Sequence, residues 1–384
     1  MSKIIKGLRA DLVRMRIISN IIFLGISYLK NPLNSLKVLA RINAKRKTVH
    51  GLRTVRKYIK SGNRYFFSDD IPGWPSAAFN GYFRSEIIRV SGLNRVRVPL
   101  STVFIAITSK CPLRCKHCYE WNNISRDEYL TLENLKEIIR KIKDYGAYHI
   151  QLSGGEPLER MDDLTFLTSY SNEDADLWLN TSGFGLTYER ALSLKKAGLT
   201  GAEISLDHWD ENEHNSFRGN HKSFFWVREA VKNCLEAGIL TSLSLCATNT
   251  FVSDKNLTKY VELAMKWGVS FIRILEPKEV GRYEGKEISL SKEQISILEE
   301  FFQKSDSPDQ LPEYPIISYP GYIQRRIGCL GAGNRYLYID SKGDIHACPF
   351  CHRSVGNAIT DRIEDAVSVL KTFGCHEYKT NICD

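Results

Sequence analysis

The chain has 384 residues, 43% of them hydrophobic and 25% charged, with a net charge of +9. That mixture supports a large buried core, excludes wholesale disorder, and suits two or three structural units. The charge is uneven: residues 1–60 hold 15 Lys and Arg against the single acid Asp11, which is +14, so residues 61–384 together carry −5.

At the N-terminus, Ile17 to Leu29 (IISNIIFLGISYL) follows a basic lead. This apolar run is too short to span a bilayer, and no small-residue cleavage site follows it. Beside the basic stretch from Ala40 to Lys60 it suits either a core-packing helix or one lying on an anionic membrane surface. Nucleic acid is not expected as a partner, because stacking aromatics do not interleave with the basic run. Tyr65 to Phe83 (YFFSDDIPGWPSAAFNGYF) is dense in aromatics and reads as a segment packed on the main body. No winged-helix peptide-recognition pattern is evident in residues 1–100.

From Ser101 the pattern becomes regular. Strands are predicted at Val103–Thr108, His149–Ser153, Leu177–Thr181, Ala202–Asp207, Leu240–Thr248 and Ser270–Glu276. Between them, helical spacing such as Leu132, Leu135, Ile138, Ile139 and Ile142 ends at Gly146, Gly198, Gly238 and Gly268. Six strands joined by helices imply a parallel sheet with right-handed crossovers, which binds its ligands beyond the carboxyl ends of the strands. The expected organisation is a basic, helical N-terminal extension and aromatic segment at 1–100, an α/β core at 101–285, a helix and Pro-rich linker at 286–319, and a Cys-rich domain at 320–384.

All ten cysteines fall at or after Cys111, several in close groups. A chain of this size needs no disulfide staples, so the grouping indicates metal ligands in a reducing, cytoplasmic compartment. Cys111, Cys115 and Cys118 follow the first core strand (KCPLRCKHCYEW). A zinc knuckle completed by His117 is one reading, but His117 adjoins Cys118 and closes the same tetrahedron only under strain. A cubane iron–sulfur cluster is the other, with one thiolate on each of three irons and the fourth left open.

CxxxCxxC with an aromatic neighbour, here Tyr119 after the last cysteine, followed by Ser153-Gly154-Gly155-Glu156-Pro157 at the end of the second strand, resembles the radical S-adenosylmethionine (AdoMet) enzymes. The resemblance implies a partial (β/α)6 TIM-like barrel. It implies a 4Fe-4S cluster on Cys111, Cys115 and Cys118 whose open iron chelates AdoMet and cleaves it to a 5'-deoxyadenosyl radical. Gly154, Gly155 and Glu156 are then expected at the AdoMet ammonium, Asn180, Ser205 and Asp207 around the rest of the cofactor, and Arg218 at its carboxylate. As plain sequence features these are also ordinary turn and cap residues.

The tail carries Cys329, Cys348 and Cys351, the last two as CPFC, then Cys375 and Cys383. It resembles the SPASM or twitch domains, which hold auxiliary clusters. Five cysteines suffice for one auxiliary 4Fe-4S cluster on Cys329, Cys348, Cys351 and either Cys375 or Cys383; a zinc ribbon is the alternative. Cys234 and Cys246 read as small core residues. Relatives with such tails modify peptide or protein side chains and draw their electron from a flavodoxin- or ferredoxin-type donor. A lipid substrate taken from the membrane surface is the competing expectation, and a non-catalytic iron–sulfur or zinc protein is the remaining one.

Overall fold

A computed structural model describes residues 2–50, 57–92, 98–124, 127–171, 174–305 and 313–375, so Cys383 lies outside the described residues. The N-terminal unit runs β1 (Lys3–Ile5), α1 (Leu8–Leu29), α2 (Pro32–His50), β2 (Tyr58–Ser61), β3 (Arg64–Phe66) and α3 (Ala77–Ser91), its strands forming a three-stranded sheet in the order β1-β2-β3. The core alternates β4 (Thr102–Ala106), α4 (Leu132–Tyr145), β5 (His149–Ser153), α5 (Met161–Ser171), β6 (Asp176–Thr181), α6 (Tyr188–Ala197), β7 (Gly201–Ser205), α7 (Glu211–Arg218), α8 (Ser223–Ala237), β8 (Leu240–Cys246), α9 (Asp254–Trp267) and β9 (Phe271–Leu275). After it come α10 (Lys292–Ser305), β10 (Ile316–Ser318), α11 (Pro320–Ile327), β11 (Tyr336–Ile339), β12 (Asp344–His346), β13 (Ser354–Asn357) and α12 (Ile363–Phe373).

β4 to β9 pair in parallel, each with the next, as the alternation predicts. Their outward side chains, such as Ile150 and Leu152 of β5, are fully buried under the helices, whose apolar stripes they meet. Capping is local: Thr131 starts α4 with a reciprocal bond to Asn134, and α4, α6, α8 and α9 each end on a glycine in the left-handed region. The result is an α/β fold around an open, partial barrel.

The sheet crosses two of the expected boundaries. Ile316–Ser318, within the expected linker, pairs in parallel with β9 as an edge strand. In the Cys-rich tail, β11 pairs in parallel with β4, and β12 and β13 extend the sheet from there, making ten strands in the order β10-β9-β8-β7-β6-β5-β4-β11-β12-β13. The tail is thus a continuation of the core sheet.

The N-terminal unit caps the amino ends of the barrel strands. Lys57 Nζ donates to Tyr314 O at 2.7 Å, Gly73 N to Asp176 Oδ2 at 3.0 Å, and Arg89 to Pro99 O at 3.1 Å; Arg335 pairs with Glu86 at 2.9 Å. Each core partner stands at or just before the start of a strand. The aromatic segment enters the barrel floor: Phe66 packs with Trp178 and Phe271, and Asp69 and Asp70 bring two carboxylates to Arg273, which also pairs with Glu203 at 2.5 Å. Helix α1 corrects the sequence reading, since it starts at Leu8 and its 22 residues are long and apolar enough to cross a membrane by length and composition.

Candidate active site

At the carboxyl end of β4 the chain turns into the three-cysteine loop, held from three sides. Arg114 N and Lys116 N donate to Arg218 O and Phe217 O at 3.3 and 2.9 Å, which ties the loop to the end of α7. Arg282 N donates to Cys118 O at 2.9 Å, and its guanidinium donates to Cys115 O at 3.2 Å while lying over the Trp121 ring. His117 stacks on Phe217 with ring centroids 4.8 Å apart; burial lowers it to about 4, so it is neutral at pH 7.

Burial pushes all three thiols up, Cys118 to about 12. Such thiols are poor free nucleophiles and become thiolates only when a cation draws off their protons. One cation is built in. Arg218 Nη1 stands 3.6 Å from Cys115 Sγ while its Nε donates to Asp207 Oδ2 at 2.5 Å. Asp207 is fixed in turn, accepting from Cys246 N at 3.1 Å and donating its own N–H to His214 Nδ1 at 3.1 Å. Burial alone would raise the Asp207 carboxyl, but Arg218, together with smaller contributions from His117, His214 and the Cys246 N–H, outweighs it and holds Asp207 below the usual carboxylate range. Asp207 and Arg218, each expected at the cofactor, therefore form one buried pair in which the carboxylate positions the arginine against the Cys115 thiol. Among the described residues no three His, Cys, Asp or Glu side chains are gathered to hold a single metal ion. A cluster that takes one thiolate per iron fits this donor set.

The next loop crosses close under the cysteine loop. Gly155 N donates to Thr108 O at 2.8 Å and Glu156 N to Lys110 O at 2.7 Å. A Cβ on Gly155 would stand 2.1 Å from Lys110 O, and one on Gly154 2.5 Å from Thr108 O, so both glycines are demanded by backbone approach. Glu156 is 1% exposed, and its carboxylate is taken by protein donors. Oε1 accepts from Thr181 Oγ1 at 2.6 Å and Leu158 N at 3.2 Å, and Oε2 from Ser182 N at 2.8 Å and Ser182 Oγ at 2.5 Å. In this arrangement the side chain braces the ends of β5 and β6.

Asn180 and Ser205 stand at the carboxyl ends of β6 and β7. Asn180 Nδ2 donates to Gln151 Oε1 at 3.0 Å, while its Oδ1 is buried with no protein partner. His117 Nδ1 and His214 Nε2 are orphaned likewise. Buried polar atoms normally have partners, so the orphaned Asn180 Oδ1 at the carboxyl end of β6 suits a polar ligand there. Tyr119 hydrogen-bonds Ser153 at 3.3 Å and sits edge-on to Tyr338 and Phe350, while Tyr338 donates to Glu120 at 2.7 Å.

Phe350 lies between the tail cysteines. Cys329 is raised first by a side-chain contact with Cys375, then by burial, with Cys348 also in range, while Cys351 N donates to Cys348 O at 3.0 Å. The structure thus brings Cys375 to Cys329 and Cys348, with Cys351 one turn from Cys348. Sequence reasoning missed Arg282 and Trp121, which lie 161 residues apart in sequence, and the inward placement of Cys246 beside Asp207; the alternation of Ser242, Ser244 and Cys246 along β8 was the available signal for the last.

Residues 105–264 match the radical SAM superfamily. The chain is 30% identical over 200 residues to a GTP 3',8-cyclase of Alkaliphilus oremlandii, covering 50% of this chain and 61% of that one. It is 25% identical over 266 residues to the mycofactocin maturase MftC of Mycolicibacterium smegmatis, covering 66% of each. Both matches span just under two thirds of the relative's length. The fold is that of Streptococcus suis SuiB, solved bound to its precursor peptide SuiA, at a TM-score of 0.59, 18% identity, and 78% and 71% coverage of this chain and that one.

Proposed function

We propose, from the match of residues 105–264 to the radical SAM superfamily, that this protein abstracts hydrogen from a peptide or protein side chain in a radical AdoMet reaction. The bound cluster and AdoMet supply a 5'-deoxyadenosyl radical; the chain's part is to hold, orient and enclose them. Cys111, Cys115 and Cys118 hold the cleaving cluster, with Arg218 donating to Cys115. The glycine loop and the orphaned Asn180 Oδ1 face the cofactor, and Ser205 completes that edge. Cys329, Cys348, Cys351 and Cys375 hold the auxiliary cluster. A flavodoxin- or ferredoxin-type protein donates the electron, and the reducing cytoplasm keeps the thiols free.

The observation that carries this reading is the convergence of the three-cysteine loop, the glycine loop and the Asp207–Arg218 pair on one edge of the barrel, with the tail thiols joined through Tyr119 and Phe350. A peptide substrate is supported by the likeness in fold to a protein solved with its precursor peptide, beside the match to a mycofactocin maturase. The lipid alternative drew on the basic N-terminus, and that unit caps the end of the barrel opposite the thiols.

The test is anaerobic reconstitution, counting iron and measuring 5'-deoxyadenosine formed from AdoMet under dithionite. About eight irons are expected, falling to about four when Cys111, Cys115 and Cys118 are all changed to Ala, with loss of deoxyadenosine. Bound zinc without deoxyadenosine would overturn the reading.

A further inference from the structure

Half of the large hydrophobic side chains exposed among the described residues lie between Leu8 and Leu36. Helix α1 is apolar on two sides. Ala10, Val13, Ile17 and Leu24 are buried against the N-terminal unit, where Tyr58 and Phe79 meet the first three. At 3.6 residues per turn, Leu8, Leu12, Met15, Phe23 and Ile26 fall within about 80° of arc on the opposite side. They are 84%, 55%, 54%, 68% and 42% exposed, and Leu33 and Leu36 of α2 add 70% and 60%. A helix apolar all round requires a second apolar environment, and exposed patches of this kind mark interaction surfaces.

Charge identifies the occupant. Arg9, Arg16 and Lys30 border the stripe and Lys37 follows Leu36; all four are exposed, and no acid among the described residues pairs with them. A protein groove for this face would need a matching row of acids, whereas an anionic lipid surface supplies apolar depth and negative headgroups together. We propose that the outer face of α1, continued by Leu33 and Leu36, lies in the plane of an anionic membrane surface. Because the unit carrying α1 caps the amino ends of the barrel strands, the cysteine loop at their carboxyl ends stands roughly one strand length, about 20 Å, farther from the lipid. The membrane localises the protein while the barrel mouth opens toward water.

The test uses the full, anaerobically reconstituted chain in sedimentation with phosphatidylcholine vesicles, with and without about 30% phosphatidylglycerol. Sedimentation is expected with the anionic vesicles, weakening with salt. Paired Leu12→Glu and Phe23→Glu substitutions should abolish it, and Arg9→Glu with Arg16→Glu should lower it at least about tenfold, with thermal midpoint and deoxyadenosine yield unchanged. Equal sedimentation with both vesicles, or binding that survives Leu12→Glu with Phe23→Glu, would overturn the proposal. So would a lipid-free dimer dissolved by that variant, which would put a second copy on the stripe, or retention in alkaline carbonate, which would mean that the helix spans.

Discussion

Glu156→Gln separates two roles for the acid of the glycine loop. In the structure its two oxygens accept four hydrogen bonds, two from backbone N–H groups of Leu158 and Ser182 and two from the hydroxyls of Thr181 and Ser182. An amide can present its oxygen to only one of those pairs, and its NH2 then faces donors. The lesser loss turns the NH2 toward Oε1's partners, because the Leu158 bond, at 3.2 Å, is the longest of the four. Even so, a buried N–H is orphaned at a cost of about 1–3 kcal/mol, and the remaining bonds lose their charge assistance. A total of about 2–4 kcal/mol follows, read as a lower denaturation midpoint of the reconstituted protein and faster exchange of amides at the ends of β5 and β6. An unchanged midpoint together with weakened AdoMet binding by calorimetry would refute the brace and return Glu156 to the cofactor.

Arg218→Met leaves Asp207 buried without its partner, a loss of about 3–5 kcal/mol. Arg218 holds the Asp207 carboxyl below its usual range. That stabilisation is present above the unfolded carboxylate pKa and lost as pH falls through the lowered one, so the deficit should be largest near pH 8 and shrink toward acid; a deficit independent of pH would count against the pairing. Asp69 gives the opposite sign. Burial, with Asp70 and Glu203 nearby, overcomes Arg273 and raises it above the usual carboxylate range. A carboxyl raised above its unfolded value makes stability fall as pH rises from the unfolded value toward the raised one. Asp69→Asn removes that slope, so its stability relative to the parent in urea unfolding should increase as pH rises, and a difference independent of pH would refute the assignment.

The parallel core was readable because β4 to β9 are apolar runs ended by turns, and because α4, α6, α8 and α9 between them each stop on a glycine. The motifs were legible through their resemblance to a known family. What spacing could not give was pairing across the chain. Asp207 and Arg218 each looked like a cofactor residue, and only the return of α7 to the cysteine loop makes them partners. Asp69 and Asp70 sat among aromatics with no visible need for charge, since Arg273 lies some two hundred residues away. β1 and β10 are three residues each, too short to show alternation, and β10 follows a Pro-rich stretch that favours a linker.

The same non-local pairing decides what the Cys-rich tail is. As an appended domain it would need its own core, which some 65 residues with five short elements among the described ones hardly provide. Instead β11 completes β4 on its open side, so the strand leading into the three-cysteine loop is paired on both edges, by β5 and by β11. Tyr338 from β11 reaches Glu120 just beyond Cys118, and Phe350 meets Tyr119. A movement of the tail thiols must therefore pass to the first loop through β4 and through this aromatic contact. The two sets of cysteines are placed by one sheet, and their relative geometry is as fixed as the register between Tyr336 and Thr102.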